Sequence, residues 1–346
     1  MRLIKPKAEL LLQQPGLEGV YKQIELAGRT CYKSTDKITE DSAKPFVDRM
    51  IKSNHLAMLE HGTIYLSIPG ESEPNEWGMV DCSPCYKGEY SRNKYSKVNY
   101  EYWHQEPIGT QKDFCKSIPR STIHVTTNLR VLVENDWMDD LKYICEPTEY
   151  HEKRYTFRLT TSIGVTRELN RHRVNSIAEQ STRYCNYSKD KFGKELTFCI
   201  PSWINIPESS VCWADGLNYR IQPNDNPSVE AIIPVRPNEY FTNEEATLCS
   251  LWLHSLEVSE NTYMEFLKQG WQPQQAREVL PLCTATEIIH TAFVSDWQHF
   301  FDLRYLGKTG APHPNMLELT GLMAKEASEN GIWSEIFMYE NTKMDN

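Results

Sequence analysis

Arg171, His172 and Arg173 stand in a row, and seven residues later Ser181 opens the run Ser181-Thr182-Arg183-Tyr184. So short a stretch concentrates fixed positive charge and hydrogen-bond donors. Guanidinium forks grip phosphate or carboxylate oxygens in bidentate fashion, so the chemistry it suits is capture of a small anion. Consecutive residues on a helix point about 100° apart and cannot converge on one ligand. An extended segment places Arg171 and Arg173 on one face and His172 on the other, and we expect this two-sided arrangement. A solvated basic turn paired with Glu168 and Glu179 would look the same at the level of these residues alone.

The rest of the composition narrows the partner. Lys plus Arg total 37 against 47 Asp plus Glu, a net charge of −10. A binder of polymeric nucleic acid would carry a basic face, so a basic cluster within an acidic chain points to a nucleotide-sized anion in a pocket. No apolar run is long enough to cross a bilayer, and the start MRLIKPKAELLLQQPG has no signal-peptide centre, so a cytoplasmic location is expected. The cysteines are scattered without a compact framework, which suggests reduced thiols packed as small apolar groups. Cys82-Ser83-Pro84-Cys85 could be half a zinc site, but His104, Cys115 and His124 do not supply the second half at finger-like spacing, so no metal is expected. Cys185 has no obvious base beside it and is not assigned as a nucleophile.

The elements that must position these residues follow from periodicity. Helices are expected over Leu17–Ala27 and Ala43–Ser53, and alternation of Ile64, Leu66 and Ile68 marks a half-buried strand after His61 that Pro69-Gly70 stops. Residues 70–153, polar and aromatic-rich, read as an insertion, partly helical around Ser121–Asn135. Tyr155–Thr161 alternates again, as a partner for the strand after His61, and leads into a short helix over Ile163–Asn170. Residues 201–242 contain a Pro-, Asn- and Asp-rich loop or small subdomain. A long helix follows, capped by Thr242 or Asn243 and ended by Gly270. Pro273 opens a helix through Leu280, a single helix is expected over Thr286–Leu306, and a last one over Asn315–Glu329.

Arg-His-Arg followed after seven residues by Ser resembles the motif of the flavin-dependent thymidylate synthases. Further stretches are similar to that family: Glu25 to Ser34, Ile51 to His55, Leu59-Glu60-His61, Ala276 to Leu282, and Trp297 to Arg304. The resemblance covers roughly 1–69, 154–200 and 243–325 and leaves 70–153 and 201–242 outside. It implies an α/β (α+β) fold, a central antiparallel or mixed sheet flanked by helices, in one catalytic domain spanning 1–346 and carrying the large insertion and the smaller subdomain.

It also implies reductive methylation of dUMP to dTMP, with the carbon from methylenetetrahydrofolate, reduction by FAD, NADPH recharging the flavin, and no covalent enzyme nucleophile. Arg171, Glu179, Gln180, Ser181, Thr182, Arg183, Arg277 and Arg304 match positions around dUMP, with Arg304 the catalytic residue that stabilises charge on the uracil. Thr63, Arg171, His172, Arg173, Glu179 and His299 match positions around FAD, and His61 one near the flavin and folate. A homotetramer with shared sites is implied. Glu168 replaces a frequent Gln, Ala178 a frequent Asn, and Phe293-Val294-Ser295 a familiar Asn-x-Arg. Beside a phosphate Glu168 would repel unless it paired with Arg167 or Arg171, and the insertion is a source of substitute FAD contacts. The same residues are compatible with a relative that modifies another pyrimidine nucleotide, by methyl or hydroxymethyl transfer, or with a flavin- or nucleotide-binding protein without catalysis.

Overall fold

The computed structural model describes residues 1–69, 89–103, 120–213, 218–225, 231–234 and 244–337. The chain begins with β1 (Arg2–Ile4), β2 (Lys7–Leu11), α1 (Gly16–Cys31), α2 (Ala43–Lys52) and β3 (Thr63–Pro69). Within the expected insertion lie α3 (Glu89–Arg92), β4 (Lys97–Trp103), β5 (Arg120–Asn128) and α4 (Leu129–Glu134). Then come β6 (Arg154–Ser162), α5 (Ile163–Leu169), β7 (Ser176–Glu179), β8 (Thr197–Cys199), β9 (Ser209–Trp213), β10 (Asn218–Pro223) and β11 (Ala231–Pro234). The chain continues through α6 (Glu244–Lys268), α7 (Pro273–Ala276), β12 (Ala285–Phe293), α8 (Val294–Arg304) and α9 (Pro314–Glu329).

Three sheets result, a mixed α/β architecture in agreement with the expected class. The central antiparallel sheet runs β2-β6-β12-β7. One face packs Leu10, Phe157, Leu159 and Ile288 against Trp297, Phe300, Phe301, Met316 and Leu319 of α8 and α9. The other meets α1 through Ala27, Ala178 and Ile289. Ala178, where Asn is frequent, is therefore a small core residue at 1% exposure. A second sheet, β3-β5-β4, packs Ile64, Leu66, Ile123 and Val125 against Val20, Ile24 and Val47. The third, β11-β10-β9-β1-β8, packs Leu3, Phe198 and Ile221 against Leu253, Leu256 and Tyr263 of α6. Close approach fixes Gly28, where a Cβ would lie 2.5 Å from the Phe46 ring.

Several expectations change. The strand after His61 pairs with β5 of the insertion, and β6 joins β2 and β12 instead. Alternation reports which face of a strand is buried and says nothing of its partner. Ser121–Asn128, expected as part of a helix, is strand, and only Leu129–Glu134 is helical, with Asn128 capping it by accepting from Val131 N. The single helix over Thr286–Leu306 divides into β12 and α8. Ile288, Ile289, His290 and Thr291 are buried on both faces of a central strand, and such a run imitates a buried helix. The loop over 201–242 contains β9, β10 and β11, and the helix from Pro273 is one turn followed by a 3₁₀ turn over Arg277–Val279. Cys82, Cys85, His104, Cys115, Thr242 and Asn243 lie outside the described residues.

Candidate functional site

The Arg-His-Arg triplet is not extended. It closes the end of α5, where Arg171 N donates to Glu168 O at 3.3 Å, His172 N to Leu169 O at 3.1 Å and Asn175 N to His172 O at 3.1 Å. The backbone turns because the helix ends under β7, which buries Ser176 and Ala178 in the central sheet. Arg171 and Arg173 are left exposed, and His172 folds inward against Phe300 with ring centroids 4.9 Å apart.

On one side of α5 lies a cleft of about 570 Å³, lined by Thr166, Arg167 and Asn170, by Glu179 to Arg183, and by Arg277 and Glu278. Its floor is set by backbone: Gln180 N donates to Glu287 O and Ser181 N to Cys31 O, each at 2.8 Å. Ser181 Oγ accepts from Arg183 N at 3.3 Å, holding the turn, and Thr182 Oγ1 accepts from Arg277 Nη1 at 3.2 Å. Burial pushes the Glu179 carboxyl up from its ordinary value, against the pull of Thr166 and Arg167. Arg167, Arg183 and Arg277 give this cleft its cationic rim. The structure thus brings Glu179, Gln180, Ser181, Thr182, Arg183 and Arg277 together, and adds Arg167. Arg171 and Arg304 do not line it.

Arg304 lies beyond α5, held by Glu168. Its Nη1 donates to Glu168 Oε2 at 2.7 Å, Nη2 to Glu168 O at 3.3 Å, and Nε to His172 Nε2 at 3.2 Å. Glu168 therefore pairs with Arg304, rather than with Arg167 or Arg171, which removes the repulsion expected of an acid beside a phosphate. His172 must be neutral at Nε2 to accept this bond. Burial first, then Arg304 and His299, lower its pKa from 6.5 to about 4. His299 is exposed on α8, its ring 6.1 Å from that of His172.

A polar wall continues from there beneath β3. His290, fully buried, has its Nε2 2.8 Å from Asn175 Nδ2 and its ring 4.5 Å from Trp297. His61 Nδ1 meets Thr291 Oγ1 at 2.9 Å, and burial followed by the charge of Arg154 lowers its pKa to about 3. Thr63 Oγ1 accepts from Arg154 Nη1 at 3.3 Å, and Ser176 Oγ from Arg154 Nη2 at 3.1 Å. His61 Nε2, Arg154 Nε, His290 Nδ1 and Asp296 Oδ2 are buried with no partner. Unspent donors and acceptors in a low-dielectric wall suit a flat ligand with polar edges, and of the residues that the resemblance implies, His61 carries one such atom and His299 is exposed beside the wall.

Arg154, His290, Asn175 and Asp296 were missed by sequence reasoning. Arg154 carried one signal, a charge at the first inward position of an alternating strand. His290 and Asp296 were hidden inside a segment expected to be one helix. Cys185 is 1% exposed. Among the described residues no group of three or more His, Cys, Asp or Glu could hold a metal ion, and no helix is long and apolar enough to cross a membrane.

The family model described as thymidylate synthase complementing protein matches residues 147–329. That span is more than half of the chain and takes in both sides of α5. No curated protein matches. Among solved structures, the chain is similar to a UMP/dUMP methylase, PolB from Streptomyces cacaoi, bound with 5-Br UMP, at TM-score 0.41 and 14% identity over 98% of this chain and 96% of that one. The same methylase bound with 5-Br dUMP gives TM-score 0.40 and 14% identity over 98% and 97%.

Proposed function

The chain belongs to the thymidylate synthase complementing protein family, and from that membership we propose that it catalyses FAD-dependent reductive methylation of dUMP to dTMP, with methylenetetrahydrofolate as carbon donor and NADPH as reductant. The observation that carries this reading is the cleft beside α5. Arg167, Arg183 and Arg277 line it around the turn at Ser181, outnumbering Glu179 and Glu278, and a cationic cleft of this size suits a nucleotide phosphate.

In this reading Arg277, steadied by Thr182, and Arg183 bind the phosphate, while Gln180 and the Ser181 turn define the floor. Arg304 faces the uracil. Glu168 and His172 occupy three of its N–H groups and aim the remaining fork, so that a fixed positive charge meets the negative charge that develops as the ring is activated. Preorganisation of this kind needs no covalent adduct, and burial of Cys185 is compatible with a mechanism that does not use its thiol. Thr63, His61, His172 and His299 would hold FAD, which when reduced supplies the hydride. The neutral imidazoles of His61 and His172 place hydrogen-bonding groups there without adding cations. Arg304 and Arg277 stand on opposite sides of α5, so we further propose that copies of this chain assemble and that each site draws its two halves from different subunits.

The test is a reaction of purified protein with dUMP, labelled methylenetetrahydrofolate and NADPH. Label in dTMP, with bleaching of the flavin absorption on adding NADPH to the enzyme alone, supports the reading. A bleaching flavoprotein that gives no labelled dTMP sinks the substrate assignment, and protein without flavin sinks the whole.

A further inference from the structure

Around Phe293 and Ser295, where the family pattern breaks, two cations stand together. Pairing of β12 with β6 sets Phe293 opposite Arg154, and the Arg154 guanidinium lies 5.2 Å from the Phe293 ring centroid. Lys97, the first residue of β4 in the insertion, brings its Nζ to 5.4 Å from the same ring. Two sheets thus deliver two positive charges to one buried aromatic.

The surrounding acids compensate them only at a distance. Glu60 is engaged by Arg130. Glu152 accepts from Ser295 N at 3.0 Å and from Ser295 Oγ at 2.5 Å. Asp296 is near enough to feel both cations, but its Oδ2 has no partner and burial pushes its carboxyl up. Among the described residues, neither Lys97 nor Arg154 has a carboxylate within ion-pair distance. Arg154, only 8% exposed, is met by neutral oxygens alone, those of Glu60 O, Thr63 and Ser176. A buried guanidinium with no carboxylate in contact is costly, and the cost is recovered when an anion arrives.

We propose that Lys97 and Arg154 form an oxyanion site for the diphosphate of the flavin nucleotide, Lys97 touching it from the half-buried rim and Arg154 acting from behind Phe293. This rests on the flavin reading above. An ammonium acts as a point charge that suits phosphate oxygens, whereas the neutral His61 and Thr63 nearby suit the edges of the flavin ring. The insertion then completes the cofactor site, supplying a cation where Phe293 and Ser295 stand in place of the Asn-x-Arg side chains. Arg154 has a second task, because its Nη1 fixes Thr63.

The test is fluorescence titration of the full chain, stripped of flavin, with FAD and with riboflavin, which has no phosphate. Lys97→Gln should weaken FAD about tenfold and leave riboflavin unchanged. Arg154→Lys, which keeps the charge, should bind FAD within about threefold of the parent, and Arg154→Met should lose FAD. Should Arg154→Met fail to fold, Lys97→Gln at the rim carries the test. Unchanged FAD affinity in Lys97→Gln, or equal weakening for FAD and riboflavin, overturns the diphosphate assignment while leaving the flavin reading intact. A parent protein that binds neither ligand overturns both.

Discussion

The two faces of α5 treat their arginines differently. In the cleft, Arg183 is exposed, and half-buried Arg277 is steadied by the Thr182 hydroxyl and a loose pairing with exposed Glu278 at 3.9 Å. Across the helix, Arg304 is gripped by a carboxylate, a carbonyl and an imidazole, and beneath β3 Arg154 is almost wholly buried. An exposed arginine costs the fold little and gains its main partner only when ligand binds. A buried one is oriented by the protein beforehand, so its charge meets a reacting group without reorganisation. On the proposed function, the contrast separates residues that would supply affinity from one placed to act on a transition state.

The largest expected effect tests that separation directly. Arg304→Ala should lower kcat for dTMP formation by about 10³-fold or more with the fold and most flavin retained, and near-parental turnover would break the assignment. If subunits share sites, mixing Arg304→Ala with Arg277→Ala protein under exchange should restore part of the activity, because some sites then hold neither substitution. No restoration would place both residues in one subunit's site.

Arg277→Ala should act on the other quantity, raising KM for dUMP by about 10- to 100-fold with kcat within about threefold. A fall in kcat alone would dissolve the distinction between the two faces.

Acid should affect the buried side first. His172 and His61 have folded pKa values of about 4 and about 3 against 6.5. Unfolding lets them bind protons that the fold refuses. Their contribution is therefore complete above pH 6.5 and is lost as pH falls, down to about 4 for His172 and about 3 for His61. Melting temperature should decline through this window, and His172→Gln should flatten the decline in its upper part. An unchanged slope would mean that His172 is not neutral in the fold. The smallest effect belongs to Cys185→Ser, for which kcat should stay within about twofold; a drop of several orders would restore the thiol as a nucleophile.

How much was legible depended on whether the signal was local. Gly16–Cys31 and Pro314–Glu329 were readable as helices because one apolar face repeats within the segment. The cleft residues from Glu179 to Arg183 were readable as a group because they are neighbours in the chain and share one turn. β12 was not, since a strand buried on both faces has no alternation to read. The partner of Glu168 was not legible either: Arg304 is distant in sequence, and Arg167 and Arg171 were the nearer candidates.

The sequence by itself determined the chemical inventory: an arginine-rich cluster in an acidic chain, the motif that carries the family, and the segment at Phe293 where the pattern fails. Only the tertiary structure decided how these are deployed. It set Arg277 and Arg304 on opposite sides of one short helix, turned His172 inward as a neutral acceptor, and brought Lys97 of the insertion to the ring of Phe293. Pairing and burial between distant segments fix those relations, and local spacing encodes neither.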